Sequence, residues 1–179
     1  MHLEIFEAKN LTSLENINGG IRIHGNNSRA FKTKNLRLYA RTEYDENSFF
    51  NFNAFDEIIY DAQDAGNSKY DRMLLRGNGA GGSIFYDVVF NKLMQPIFSS
   101  GVTRIKPAIH FINGEYWGLT AFREKLDQDH YARFFNLDPD NIAVVSCAGS
   151  TCELSEGFTQ DLEDYNNMRD FIVDNDLQD

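Results

Sequence analysis

Between Gly25 and Lys34 the chain reads GNNSRAFKTK, a turn-forming stretch followed at short spacing by Arg29, Lys32 and Lys34. The backbone N–H groups of such a turn can form a concave nest for an anion, and the cations beside it add charge. The plainer reading is an ordinary turn at Asn27 and Ser28, with Arg29 and Lys34 as solvated surface cations. A second segment, Gly77-Asn78-Gly79-Ala80-Gly81-Gly82, precedes an apolar helical pattern and resembles a phosphate cradle at a helix N-terminus. Its spacing fits neither a P-loop nor a dinucleotide fingerprint, because no Lys-Ser/Thr follows and no parallel βαβ unit surrounds it. A flexible loop is the better reading. Asp87 falls one turn into that helix, where the helix dipole favours an acid in any case. Glu124 and Asp127 belong to EKLDQD, an exposed helix start in which Asp127 is an N-cap candidate. His24 reads as a core or edge histidine, and Tyr116 and Trp117 as packing residues.

Cys147 and Cys152 lie five apart, with no neighbouring histidine to complete a zinc site. A small-loop disulfide and two free thiols both remain open; the disulfide would imply an oxidising compartment.

These residues need elements to hold them. His2–Phe6 and Gly20–His24 alternate polar and apolar residues, and Asn18-Gly19-Gly20 marks a turn. Lys34–Ala40 follows as a strand with Leu36 and Leu38 on one side, so this region reads as an antiparallel meander with one wet face. Arg41–Ser68 has no sustained period and reads as a long excursion. Tyr70–Arg76 returns to strand. Ser83–Phe98 reads as a helix capped by Ser83, with Ile84, Phe85, Val88, Val89, Phe90, Leu93 and Ile97 forming a wide apolar surface. Arg104–Ile112 and Glu115–Phe122 flank Asn113-Gly114, a strong hairpin signal. A helix at about Leu126–Phe135, a brief strand Ile142–Val145 and an acidic helix Thr159–Val173 complete the chain. Strands first, then one helix, a hairpin and further helices predict an α+β fold with a mainly antiparallel sheet and a packed helix.

Composition narrows the function. The 179 residues carry a net charge of −10, with 42 % hydrophobic and 13 % aromatic residues. Such a chain can bury a core. Its acidity argues against nucleic acid as main partner, yet leaves room for a nucleotide, which needs only a few placed cations or a metal. Acids crowd Glu153–Asp179, where Arg169 is the lone base. No run of about 18 apolar residues appears, so no membrane segment is expected. The first residues mix charge into every turn and read as a strand rather than a signal peptide.

Three blocks carry a resemblance: GIRIHGNNSRAFKTKNLRLYAR (Gly20–Arg41), LLRGNGAGGSIFYD (Leu74–Asp87) and FINGEYWGLTAFREKLDQDHY (Phe111–Tyr131). In the same order, they resemble the blocks of the spore coat protein H (CotH) kinase family. The resemblance runs over most of Leu3 to about Val145. It implies an atypical protein-kinase-like fold that binds ATP with Mg²⁺ or Mn²⁺ and phosphorylates protein Ser/Thr. Residues 1–125 would be the N-lobe, and 126–179 the truncated start of a helical C-lobe. Phosphoryl transfer needs a cation on the phosphates, a turn covering them, an acid orienting the cation and carboxylates on the metal. The resemblance assigns Lys34 to the α/β-phosphates, with Lys32 as a competitor on the same face. It assigns Ser28 and Arg29 to the covering turn, and Asp87 to pairing with Lys34. Glu124 and Asp127 fall where the N-lobe passes to the C-lobe, within reach of adenine and ribose.

The glycines at 77–82 depart from the family's more polar pattern. No D-x-x-x-x-N or D-F-G-like constellation follows Val145, so the catalytic aspartate and metal-holding pair are expected beyond these segments, and the chain by itself is expected to be inactive. Two alternatives remain: a catalytically silent kinase-like binding or structural domain at the cell surface, and a polysaccharide-binding β-domain using exposed Tyr and Phe. The phosphoacceptor is a protein not identified by the sequence. An extracytoplasmic, cell-surface or spore-coat location is the expectation.

Overall fold

A computed structural model describes residues 1–25, 27–51, 55, 69–77, 84–94, 97 and 103–175. The glycine run beyond Gly77, the cap at Ser83 and most of the 41–68 excursion lie outside the described residues. The fold is α+β with antiparallel sheets, as the order of segments predicts. Two compact units divide the chain, Met1–Lys125 and Leu126–Asp179. No helix among the described residues is long and apolar enough to cross a membrane.

In the first unit, β1 (His2–Phe6) pairs with β2 (Ser13–Asn18). The central sheet contains β3 (Gly20–His24), β4 (Asn35–Tyr39), β7 (Arg72–Arg76), β8 (Ile105–Ile112) and β9 (Glu115–Glu124), in the order β3-β4-β7-β9-β8. A short ladder joins β5 (Phe50–Asn51) and β6 (Lys69–Tyr70). Helix α1 (Ile84–Met94) lies in the chain between β7 and β8.

Register divides the residues of the sheet between its two faces. Leu36 pairs with Leu75 and Leu75 with Phe122, while Leu38 pairs with Met73. These side chains share one face and form the main core with Ile17, Phe50, Phe55 and Tyr70. The excursion's aromatics Phe50 and Phe55 are therefore core, at 0 and 5 % exposure. Burying each such ring contributes about 1.5–3 kcal/mol. Strand side chains alternate between faces, so the other face receives Arg22, Arg37, Leu74 and Arg123, which follow one another across the ladders. His24 and Arg76 fall on it too. Here Val88 of α1 packs on Ile105 and Ala121.

The wide apolar surface expected of α1 is only partly used. Val88 is buried, whereas Tyr86, Val89, Phe90 and Leu93 are exposed. The β8–β9 turn follows the dipeptide rule: Asn113 and Gly114 take φ of 51° and 81°, the left-handed pair that a two-residue hairpin needs.

In the second unit, α2 (Gln128–Phe135) is closed by left-handed Asn136 at φ 53°. After a 3-10 turn at Pro139–Asn141 come β10 (Val144–Ala148), β11 (Thr151–Glu156) and α3 (Thr159–Asp174). The cysteine segment is thus a hairpin rather than an irregular loop.

Candidate functional site

The turn after β3 is fixed by side chains. Gly25 has φ +105°, and a Cβ there would lie 2.0 Å from Ser28 Oγ, so only glycine fits without displacement. Asn27–Ala30 then make a 3-10 turn. Asn35, 7 % exposed, donates from Nδ2 to Ser28 Oγ at 3.1 Å, and its Oδ1 accepts from the Gly77 amide at 2.9 Å. One buried amide therefore ties the turn to the end of β7.

Below this turn is a cavity of about 160 Å³ lined by His24, Gly25, Ser28, Asn35, Leu74, Leu75 and Arg76. Pockets for drug-sized ligands run to about 300–1,000 Å³. This one fits part of a ligand, such as a phosphoryl group.

Its electrostatics are cationic. Arg37 Nη2 lies 2.8 Å from His24 Nδ1. A guanidinium only donates, so Nδ1 accepts and the ring proton sits on Nε2. Burial, then Arg37, Lys125, Arg76 and Arg29, lower the His24 pKa from 6.5 to about 4. Four positive neighbours around a neutral histidine make a field that favours an anion.

Arg76 also faces α1. Its Nε lies 3.4 Å from Asp87 Oδ2, and the same oxygen accepts from Arg123 Nη1 at 3.2 Å. Asn91 Nδ2 donates to the Asp87 carbonyl at 2.8 Å and approaches Oδ1 at 3.4 Å. Arg123 is 9 % exposed; burial lowers its pKa and the Asp87 charge opposes that shift.

The other expected residues are placed as follows. Lys34 sits one residue before β4, and its Nζ donates to the Arg29 carbonyl at 2.7 Å, closing the turn from outside. Lys34 and Asp87 are not brought together: Asp87 is engaged by two arginines instead, because Arg76 and Arg123 occupy the sheet face beside α1. Ser28 lines the cavity and Arg29 contributes to the field on His24. Glu124, 1 % exposed, binds buried Arg104: Oε1 accepts from Nε at 3.0 Å and from Nη2, and Oε2 from the Arg104 amide at 3.0 Å. That carboxylate is turned into the fold, with the guanidinium 5.5 Å from both the Phe55 and Tyr70 rings. Asp127, in the second unit, N-caps α2, its Oδ1 accepting from the His130 amide at 3.1 Å.

Arg76, Asn35, Arg37 and Arg123 are the residues that reading the sequence misses. The available signal is a charged residue closing the apolar strand RMLLR immediately before a glycine run and a helix that carries Asp87.

The protein is thus α+β, with an antiparallel sheet whose small cavity has Arg76 in its lining and an acid of the following helix beside that arginine. The family model described as CotH kinase protein matches residues 21–178, so the chain belongs to the CotH kinase family. No curated protein and no solved structure matches it.

Proposed function

We propose that this protein binds ATP, accompanied by Mg²⁺ or Mn²⁺, with the phosphates in the cavity under the Gly25–Lys34 turn, and serves phosphoryl transfer to a protein Ser/Thr. The observation that carries the reading is the double role of Arg76, which lines the cavity and pairs with Asp87. In protein kinases the phosphate-holding lysine lies on the third strand and pairs with a glutamate of the following helix. Counted along the chain, β7 is the third strand of the central sheet, and α1 follows it. Arg76 and Asp87 thus stand where that pair stands, with arginine for lysine and aspartate for glutamate. An arginine fork suits phosphate oxygens well.

The lining offers the Arg76 guanidinium, the Ser28 hydroxyl, the Asn35 amide and a neutral imidazole, which fit phosphate oxygens. Among the described residues it offers no carboxylate to a divalent ion, which enters this reading only as the ion that accompanies ATP. The Cys147–Cys152 disulfide supports an oxidising, extracytoplasmic location, cell surface or spore coat included.

The test is thermal unfolding with and without Mg-ATP. A ligand at 100 times its Kd stabilises by about 2.7 kcal/mol, so the midpoint rises in the wild type. A second reading, a kinase-like binding domain without nucleotide, is favoured by the exposed Tyr86, Val89, Phe90 and Leu93 of α1, a surface suited to a protein contact. No midpoint shift with any nucleotide would select it.

A further inference from the structure

The cysteine pair lies in the second unit and has no part in the phosphate site. Cys147 on β10 and Cys152 on β11 are directly opposite in the hairpin and are bonded to each other. Their surroundings differ. Cys147 is exposed, whereas Cys152 is partly covered. Tyr165 and Arg169, one helical turn apart on α3, face the sulfurs. The Tyr165 hydroxyl lies 3.4 Å from Cys147 Sγ and 3.9 Å from Cys152 Sγ. Arg169 Nη1 points at Cys152 Sγ from 3.9 Å, while Asp170 holds its Nε and Nη2 at 3.3 and 3.2 Å. Glu153, the next residue on β11, lies on the opposite face by strand alternation, so its charge is directed away from the sulfurs.

We propose that the Cys147–Cys152 disulfide is a thiol-exchange site, with Cys147 the sulfur that accepts a small-molecule thiol and Cys152 the leaving group. A thiolate attacks exposed Cys147 Sγ, and a new S–S bond forms as the Cys147–Cys152 bond breaks. The electron pair goes to Cys152 Sγ, whose thiolate is held by the Arg169 guanidinium. A second small thiolate attacking the mixed disulfide releases it as the oxidised small-molecule disulfide and leaves both cysteines reduced. Two electrons pass from the small thiols to the protein. The direction follows from two rules: exchange is faster at the accessible sulfur, and faster when the departing thiol has the lower pKa, which a neighbouring cation lowers.

The experiment treats the folded chain with limiting glutathione, quenches with acid, and locates the adduct by peptide mass spectrometry. Glutathione on Cys147 with Cys152 free is the expected result; an even distribution, or the adduct on Cys152, overturns the proposal. Stopped-flow reduction then compares Arg169→Met, Arg169→Lys and Tyr165→Phe with the wild type. Both altered side chains are half-buried on α3, and circular dichroism confirms that each variant is folded. Arg169→Met is expected to slow the first step about tenfold, with Arg169→Lys recovering most of the rate. An unchanged rate in Arg169→Met overturns the assignment of Cys152 as leaving group. In Cys147→Ser, thiolate absorbance of the remaining Cys152 is expected to titrate below the usual thiol range, and a Cys152 that titrates as an ordinary thiol counts against the proposal.

Discussion

Asp87 of α1 and Arg76 of β7 face each other at 3.4 Å across the edge of a cavity that Arg76 also lines. Arg123, bound to the same carboxylate oxygen, is largely buried, so Asp87 also faces a guanidinium with little access to water. On the proposed reading the acid has both a structural and a positioning part. Asp87→Asn should weaken nucleotide binding about 3–10-fold by loosening Arg76, and also lower stability by about 1–3 kcal/mol by removing the charge nearest buried Arg123. Denaturant unfolding and nucleotide titration on the same variant separate the two effects.

Asn35→Ala removes the buried link between Ser28 and Gly77. Two partners lose a hydrogen bond in a buried setting, at a cost of about 1–3 kcal/mol. The melting midpoint should fall, and amide exchange should quicken at Gly77. Unchanged exchange there would mean that the turn is held by other contacts.

Glu124→Ala removes the carboxylate that pairs with the buried Arg104 guanidinium, a loss of about 3–5 kcal/mol. Replacing both partners, as in Arg104→Met with Glu124→Leu, should recover much of this, because apolar pairs of similar volume often match a buried ion pair. Chemical denaturation of the two variants decides the point.

His24 sets a pH dependence. Its folded pKa of about 4 lies below the ordinary 6.5, so between these values the unfolded chain binds the extra proton. Its contribution to stability is full above about 6.5, and is lost as pH falls toward 4. Screening at this half-buried ring leaves an effect on the order of 1 kcal/mol. A phosphate in the cavity offsets Arg29, Arg37, Arg76 and Lys125, raising the His24 pKa and drawing in a proton. Affinity should therefore rise as pH falls from about 7 to about 5, more steeply in wild type than in His24→Gln. The difference cancels titration of the nucleotide itself; calorimetry in buffers of different ionisation enthalpy measures it.

The fold was legible wherever a local rule was strong. Asn113-Gly114 announced its hairpin, Asp127 capped its helix, and the alternation around Leu36 and Leu38 marked a buried face. Strands β2 and β11 were not legible: SLENIN puts polar residues on both faces, TCELSE puts charge on both, and each has little apolar contrast. The site was half legible. Ser28 could be read from its turn, because turn chemistry is local. The pairing of Asp87 with Arg76 and Arg123 could not, because strand register brings those residues together from distant parts of the chain. The family resemblance pointed to Lys34 as the strand lysine; in the structure Arg76 lines the cavity and Lys34 Nζ donates to the Arg29 carbonyl.

The central claim is that Arg76 holds the phosphates, and calorimetric titration of Mg-ATP into wild type, Arg76→Ala and Lys34→Ala tests it most directly. Loss of a charge-assisted contact of about 1.5–3 kcal/mol predicts roughly 10–100-fold weaker binding in Arg76→Ala. Lys34→Ala, which only frees the outside of the turn, should change affinity by less than about fivefold. Wild-type affinity in a folded Arg76→Ala, or an equal loss in Lys34→Ala, would contradict the account.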